Sequence, residues 1–213
     1  MISFHHKVLF VHIPKCAGQS VAKAFLRDLG LDWKERHPLL LRPRKNNERG
    51  PERLAHLYAY EYVKFGYIDE IEFRKFYKFS IVRDPIDRIL SELNFRKVPK
   101  TFFGENPVEE YIVRSRQKFG INSDIVRHLE PQVNFLFDEK MEKILIDKVI
   151  KINEIETMFQ SLKDHIGFSN LEIKKENVSQ SKEWIRSDLS QSDSDFLKKI
   201  YEIDYKFIAD LDK

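Results

Sequence analysis

Residues 7–20 read KVLFVHIPKCAGQS, and this stretch decides what fold the chain can adopt. Lys7 to Val11 is a short, mostly apolar run that predicts a buried strand, and Ala22 to Leu29 predicts a helix. The compact loop between them carries Pro14, Lys15, Gly18, Gln19 and Ser20. A strand feeding a glycine-bearing loop at a helix mouth presents backbone N–H groups to an anion. Lys15 adds a mobile positive charge and Ser20 a hydroxyl. The loop lacks both the GxxxxGK[ST] pattern of nucleotide triphosphatases and the GxGxxG pattern of dinucleotide sites.

A second stretch, Phe79 to Leu93, repeats the design. Lys78 to Val82 predicts another buried strand, and Arg83-Asp84-Pro85 follows it. Asp84 suits a helix cap, Pro85 the first helical position, and Asp87 the capping-box region. Ile86, Ile89, Leu90 and Leu93 recur at helical spacing and should face the sheet, with Ser91 off that stripe. If both strands share one parallel sheet, their C-terminal ends open on one edge, where open α/β sheets bind ligands. Lys15, Gly18, Gln19 and Ser20 would then meet one phosphate-like group, and Arg83 with Ser91 a second. Two separated anion sites suggest a nucleotide phosphorylated at two places. Arg88 has two readings, orienting a phosphate or pairing with Asp84 four residues earlier.

Composition fits this outline. With 213 residues, 42% of them apolar, and 17 phenylalanines, the chain has material for one α/β domain with a sizeable core. Lys and Arg total 37 against 34 Asp and Glu, an excess of +3 that does not call for nucleic acid yet allows a local basic cleft. The lone Cys16 excludes an intrachain disulfide and a multi-thiolate zinc site, and reads as a small loop filler. His/Cys/carboxylate spacing along the chain offers no metal cluster, so no metal is expected. No apolar run reaches the roughly 18–20 residues of a membrane span, and a cytoplasmic location is the expectation.

Between and beyond these stretches, Gly30 to Pro51 reads as basic loops. Leu54 to Phe65 has helical potential ended by Gly66. Residues 107–119 carry a helical pattern, and Phe102 to Phe119 reads as a packed helix or an acceptor-side lid. Residues 144–152 offer one or two strands, and Ile155 to Ile166 a helical core stripe ended by Gly167. Asn170 to Ser194 reads as irregular, and Phe196 to Leu211 as helical. Strands alternating with helices favour a largely parallel sheet covered by helices.

HIPKCAGQS (12–20) and VRDPIDRILS (82–91) together resemble the two cofactor motifs of the sulfotransferase superfamily, whose donor is 3′-phosphoadenosine 5′-phosphosulfate (PAPS). The likeness is nearest to the branch of carbohydrate 2-O- and 4-O-sulfotransferases and their short bacterial relatives. EPQVNFLFD (130–138) and ENVSQS (176–181) extend it weakly. The resemblance implies an α/β three-layer sandwich with a mostly parallel central sheet and a P-loop-like phosphosulfate-binding loop, a single domain over residues 1–213. It implies that Lys15, Ala17, Gly18, Gln19 and Ser20 hold the 5′-phosphosulfate, and that Arg83 and Ser91 bind the 3′-phosphate. Lys15 would also stabilise the leaving group. His56, in Ala55-His56, matches the family's general base; Asn177 and Ser179 match a late element near the cofactor. The product would be 3′-phosphoadenosine 5′-phosphate (PAP), and the partner a hydroxyl-bearing carbohydrate or glycoconjugate. Cys16 and Gln19 depart from the commoner threonines, and Val149 to Asn153 lacks a Glu often found there. The rivals are a P-loop-like phosphotransferase, disfavoured by the missing Walker signature, and a non-catalytic nucleotide- or polyanion-binding module. His12 reads as structural, and His37, His128 and His165 carry no assigned role.

Overall fold

The computed structural model describes residues 1–100, 104–167 and 183–211. Strand β2 (Val8–Val11) is the hinge of the sheet. It pairs antiparallel with β1 (Ile2–Ser3) and parallel with β3 (Tyr77–Val82), which in turn pairs parallel with β4 (Lys148–Lys151). The strand order is β1-β2-β3-β4. Residues of β2 are buried throughout, as are those of β3 after Tyr77, because helices cover both faces; hence the near-continuous apolar runs. Lys78 and Ser80 are the polar exceptions, and the Ser80 hydroxyl donates to the Val11 carbonyl at 2.7 Å. Phe10 lies opposite Phe79 and Val11 opposite Ser80, so the two strands run out nearly level with each other.

Helix α1 (Gly18–Asp28) follows β2, and α4 (Pro85–Arg96) follows β3. Two short helices, α2 (Glu61–Lys64) and α3 (Glu70–Lys75), lie between them in sequence. After α4 come α5 (Pro107–Lys118), α6 (Asp124–Leu129), α7 (Ile155–Ile166), α8 (Gln191–Ile200) and α9 (Glu202–Asp210). One apolar cluster joins the sheet to Val21, Phe25 and Leu26 of α1 and to Phe159, Leu162 and Ile166 of α7. A second packs Ile86, Ile89, Leu90 and Leu93 of α4 against Val108, Ile112, Trp184, Leu197 and Tyr201. At about 1.5–3 kcal/mol per large buried side chain, those four residues fix α4 firmly. Ser91, on the same helix, is therefore rigidly placed.

Several expectations change. Helix α1 starts at Gly18, four residues before the predicted Ala22, because left-handed Ala17 (φ 57°) turns the loop straight into the helix. Leu54 to Phe65 is no single helix: a 3-10 turn at Leu54–His56 precedes α2. Long-range bonds break it, since the Ala59 N–H is taken by the Phe135 carbonyl and Glu61 pairs with Arg127. Residues 144–152 supply only β4, with Ile144 in an isolated bridge to Phe137. Phe196 to Leu211 breaks at buried Tyr201, whose hydroxyl is held by the Leu129 carbonyl at 2.8 Å. The predicted irregular stretch 170–194 holds the start of α8 at Gln191; Asn177 and Ser179 lie outside the described residues. Among the described residues, no helix is long and apolar enough to cross a membrane.

Candidate active site

The first loop is set by backbone conformation. Lys15 and Ala17 both adopt left-handed φ values (67° and 57°) on either side of buried Cys16. Such geometry costs non-glycine residues about 1–2 kcal/mol each. The loop curls back on itself with the Cys16 N–H on the Ile13 carbonyl, and α1 opens without a side-chain cap. Gly18 is required by space: a Cβ there would lie 1.7 Å from His12 Nε2. The His12 ring thus rests directly on the first residue of α1. Cys16 is no reactive thiolate. Burial pushes its thiol up to about 12, and it donates to Gln132 Oε1 at 3.5 Å.

Gln132 ties the two loops together. Its Oε1 accepts the Arg83 N–H at 2.9 Å and its Nε2 donates to the Arg83 carbonyl at 2.7 Å, as another strand would. The Arg83 guanidinium in turn donates to the Lys15 carbonyl at 3.4 Å. The two basic residues therefore stand at one sheet edge. Neither has a carboxylate within ion-pair distance among the described residues, although both are only partly exposed. The Lys15 ammonium lies on the Phe95 ring, 3.9 Å from its centre. Burial lowers its pKa, with Glu92 opposing.

Arg83 and Ser91 line one cavity of about 190 Å³, together with Asp87, Asn94, Trp184 and Arg186. The Asn94 amide grips the Trp184 backbone from both sides, accepting its N–H and donating to its carbonyl, each at 2.9 Å. Arg186 bonds Asp84 and Asp87 at the mouth of α4. Both readings of Arg88 are corrected: it is fully buried and donates to the carbonyls of His128 and Glu130, because the helix turns it into the interior, away from Asp84. Asp84 caps α4 as predicted, accepting the Asp87 N–H at 3.0 Å.

His56 stands at the end of its 3-10 turn, 7% exposed. Its ring lies between those of His12 (centroids 4.7 Å apart) and His128 (4.9 Å). Nδ1 is 3.3 Å from the His12 carbonyl and Nε2 is 3.9 Å from Asp124 Oδ1. Burial, and then the charge on His128, pull its pKa down to about 3. The imidazole is therefore neutral near pH 7. For His128 the burial effect is outweighed by Asp124 and Glu92, and its pKa rises. A run of ring contacts thus leads from Lys15 through Phe95 and His128 to His56, Phe95 and His128 being 6.0 Å apart.

Folding also brings together groups that spacing along the chain left apart, namely His56, Asp124 and His128. Sequence reading passed over Gln132, Trp184, Arg186 and Phe95. Only Gln132 lay in a quoted motif, EPQVNFLFD; the others sit in segments whose role depends on tertiary packing.

The fold and this edge define an α/β protein with two adjoining loops, one after each of two parallel strands, that bring Lys15 and Arg83 together. A family model described as the sulfotransferase family matches residues 1–208, and the chain belongs to that family of PAPS-dependent enzymes. Comparisons with curated proteins and with solved structures returned no match.

Proposed function

We propose that the whole chain acts as one catalytic unit that moves a sulfuryl group from PAPS to a hydroxyl of a carbohydrate or glycoconjugate. The observation carrying this reading is the meeting of Arg83 and Lys15 at one sheet edge, with neither cation neutralised by a carboxylate among the described residues. The cavity shared by Arg83 and Ser91 supports the fit of a phosphate there. When bound, PAPS would supply the sulfuryl group, with 3′-phosphoadenosine 5′-phosphate as the leaving group. Loop 13–20 acts as a P-loop-like phosphosulfate loop: Ala17, Gly18, Gln19 and Ser20 hold the 5′ end at the mouth of α1. Lys15 answers the negative charge that grows as the bond to sulfur breaks. Arg83 and Ser91 grip the 3′-phosphate and fix the register of the donor. His56, neutral and steadied through Nδ1 by the His12 carbonyl, receives the acceptor hydroxyl proton on Nε2.

The test is an assay with labelled PAPS against a panel of glycans, glycolipids and small alcohols, with the products identified. Label on a saccharide hydroxyl is the expected outcome. Tight PAP binding without transfer to any acceptor would favour a non-catalytic nucleotide-binding module, and transfer to lipids or small alcohols alone would remove the carbohydrate assignment.

A further inference from the structure

Behind the proposed anion-binding edge lies a cluster in which two imidazole nitrogens face one carboxylate oxygen. His128 Nδ1 is 2.5 Å from Glu92 Oε2, so that nitrogen carries a hydrogen, and an ion would take the place of the proton on Nε2. His56 Nδ1 faces the His12 carbonyl, which can only accept, so its lone pair is on Nε2. Both Nε2 atoms are turned toward Asp124 Oδ1, at 3.5 Å from His128 and 3.9 Å from His56. Asp124 Oδ1 and His128 Nε2 are buried with no hydrogen-bond partner. Only 5% of His128 and 7% of His56 is exposed. Leaving such atoms unsatisfied in a buried site is costly.

We propose that His56, Asp124 and His128 form a binding site for one zinc-class divalent cation. The spacing is too wide for a shared hydrogen bond, which needs about 2.7–3.2 Å. It is slightly wider than the edge of about 3.3 Å in a tetrahedron with bonds of about 2.0–2.1 Å, so the side chains must draw together to share one ion. Asp124 and His128 sit four residues apart on α6 and so share a face. Each imidazole has the acceptor behind it that ligating histidines use, a carboxylate for His128 and a carbonyl for His56. Two nitrogens and one oxygen suit zinc or cobalt and disfavour magnesium or calcium. Arg96, 2.8 Å from Asp124 Oδ2, and Arg53, 3.7 Å from Oδ1, add positive charge that Glu92 partly offsets. A bound ion would occupy the lone pair of His56, so ligation and proton acceptance would exclude each other; that clause rests on the proposed role of His56, the binding site does not.

The experiment titrates chelator-treated protein with Co²⁺, following visible d–d absorption, and with Zn²⁺ by calorimetry. A His5→Asn, His37→Asn background removes the imidazoles exposed among the described residues. We expect a single equivalent to bind and to raise Tm. Binding should be lost in Asp124→Asn and in His128→Gln, and weakened by about 10–100-fold in Glu92→Gln, with circular dichroism reporting whether each variant is folded. Absence of d–d bands and of a Tm rise in the parent protein would overturn the site without recourse to any variant. Binding unchanged in a folded Asp124→Asn protein would overturn it equally. Zinc that binds without slowing transfer would leave the site standing and remove His56 from proton acceptance.

Discussion

Lys15 rests its ammonium on the ring of Phe95, which lies one helical turn beyond Ser91 on α4. One helix thus holds a proposed 3′-phosphate contact and the resting place of the proposed leaving-group cation. Lys15→Met should lower kcat by about 10²–10³-fold while PAPS affinity changes little, measured by single-turnover transfer and by calorimetry. An equal loss in both would make Lys15 a binding residue only.

The same contact predicts an alkaline limit to activity. Burial lowers the Lys15 pKa, so the ammonium is present at low pH and lost as pH rises through that lowered value. The kcat profile should therefore fall on the alkaline side earlier than a free lysine would dictate. Phe95→Leu keeps the bulk but removes a cation–π attraction of about 0.5–2 kcal/mol, and should move the limb to still lower pH. An unmoved limb would assign it to another group.

Arg83 gives a ligand test. PAP should bind much more tightly than 5′-AMP, and Arg83→Ala should erase about 10–100-fold of that preference, the worth of one charge-assisted bond of about 1.5–3 kcal/mol. Affinity for 5′-AMP should stay unchanged. Equal affinities in the parent protein would sink the assignment of Arg83 and Ser91.

Gly18→Ala tests the loop. The added methyl would lie 1.7 Å from His12 Nε2, so ring or loop must move. Overpacking of this kind costs about 1–3 kcal/mol, visible in Tm, with donor affinity falling alongside. His12→Ala in the same chain should restore much of both. A fully stable single variant would show that the loop yields without cost.

Arg127 supplies a stability test remote from the chemistry. Its guanidinium, 1% exposed, bonds both Glu61 oxygens at 2.7 and 3.0 Å and stacks 3.7 Å above Tyr58. Arg127→Met leaves a buried unpaired carboxylate and should cost about 3–5 kcal/mol in denaturant unfolding. Adding Glu61→Gln should recover part of the loss.

Local signals made the two strands, the Asp84 cap and the α4 stripe legible in the sequence, because each depends on residues within a turn or two. Arg88 shows where that ends. Its spacing pointed to Asp84, but its destination is a pair of carbonyls 40 residues away in sequence or more. His128 looked like any other histidine, since the carboxylates that define it come from α4 and from its own helix only after folding. Trp184 and Arg186 border the cavity from a segment with no periodic signal. Lys15 and Arg83 were placed from sequence because two parallel strands must release their chains at the same edge.

Asp204 of α9 accepts the backbone N–H groups of Gln132 and Val133 at 2.9 and 3.1 Å, and Gln132 is the residue that fastens Arg83. The Arg83 side of the cleft is thus braced by a residue more than a hundred positions later in the chain. During synthesis, a ribosome-bound chain lacking α9 would have both strands and both loops yet nothing bracing Gln132, the latch for Arg83. Competence to grip a nucleotide should accordingly arrive late, after residue 204 has cleared the exit tunnel.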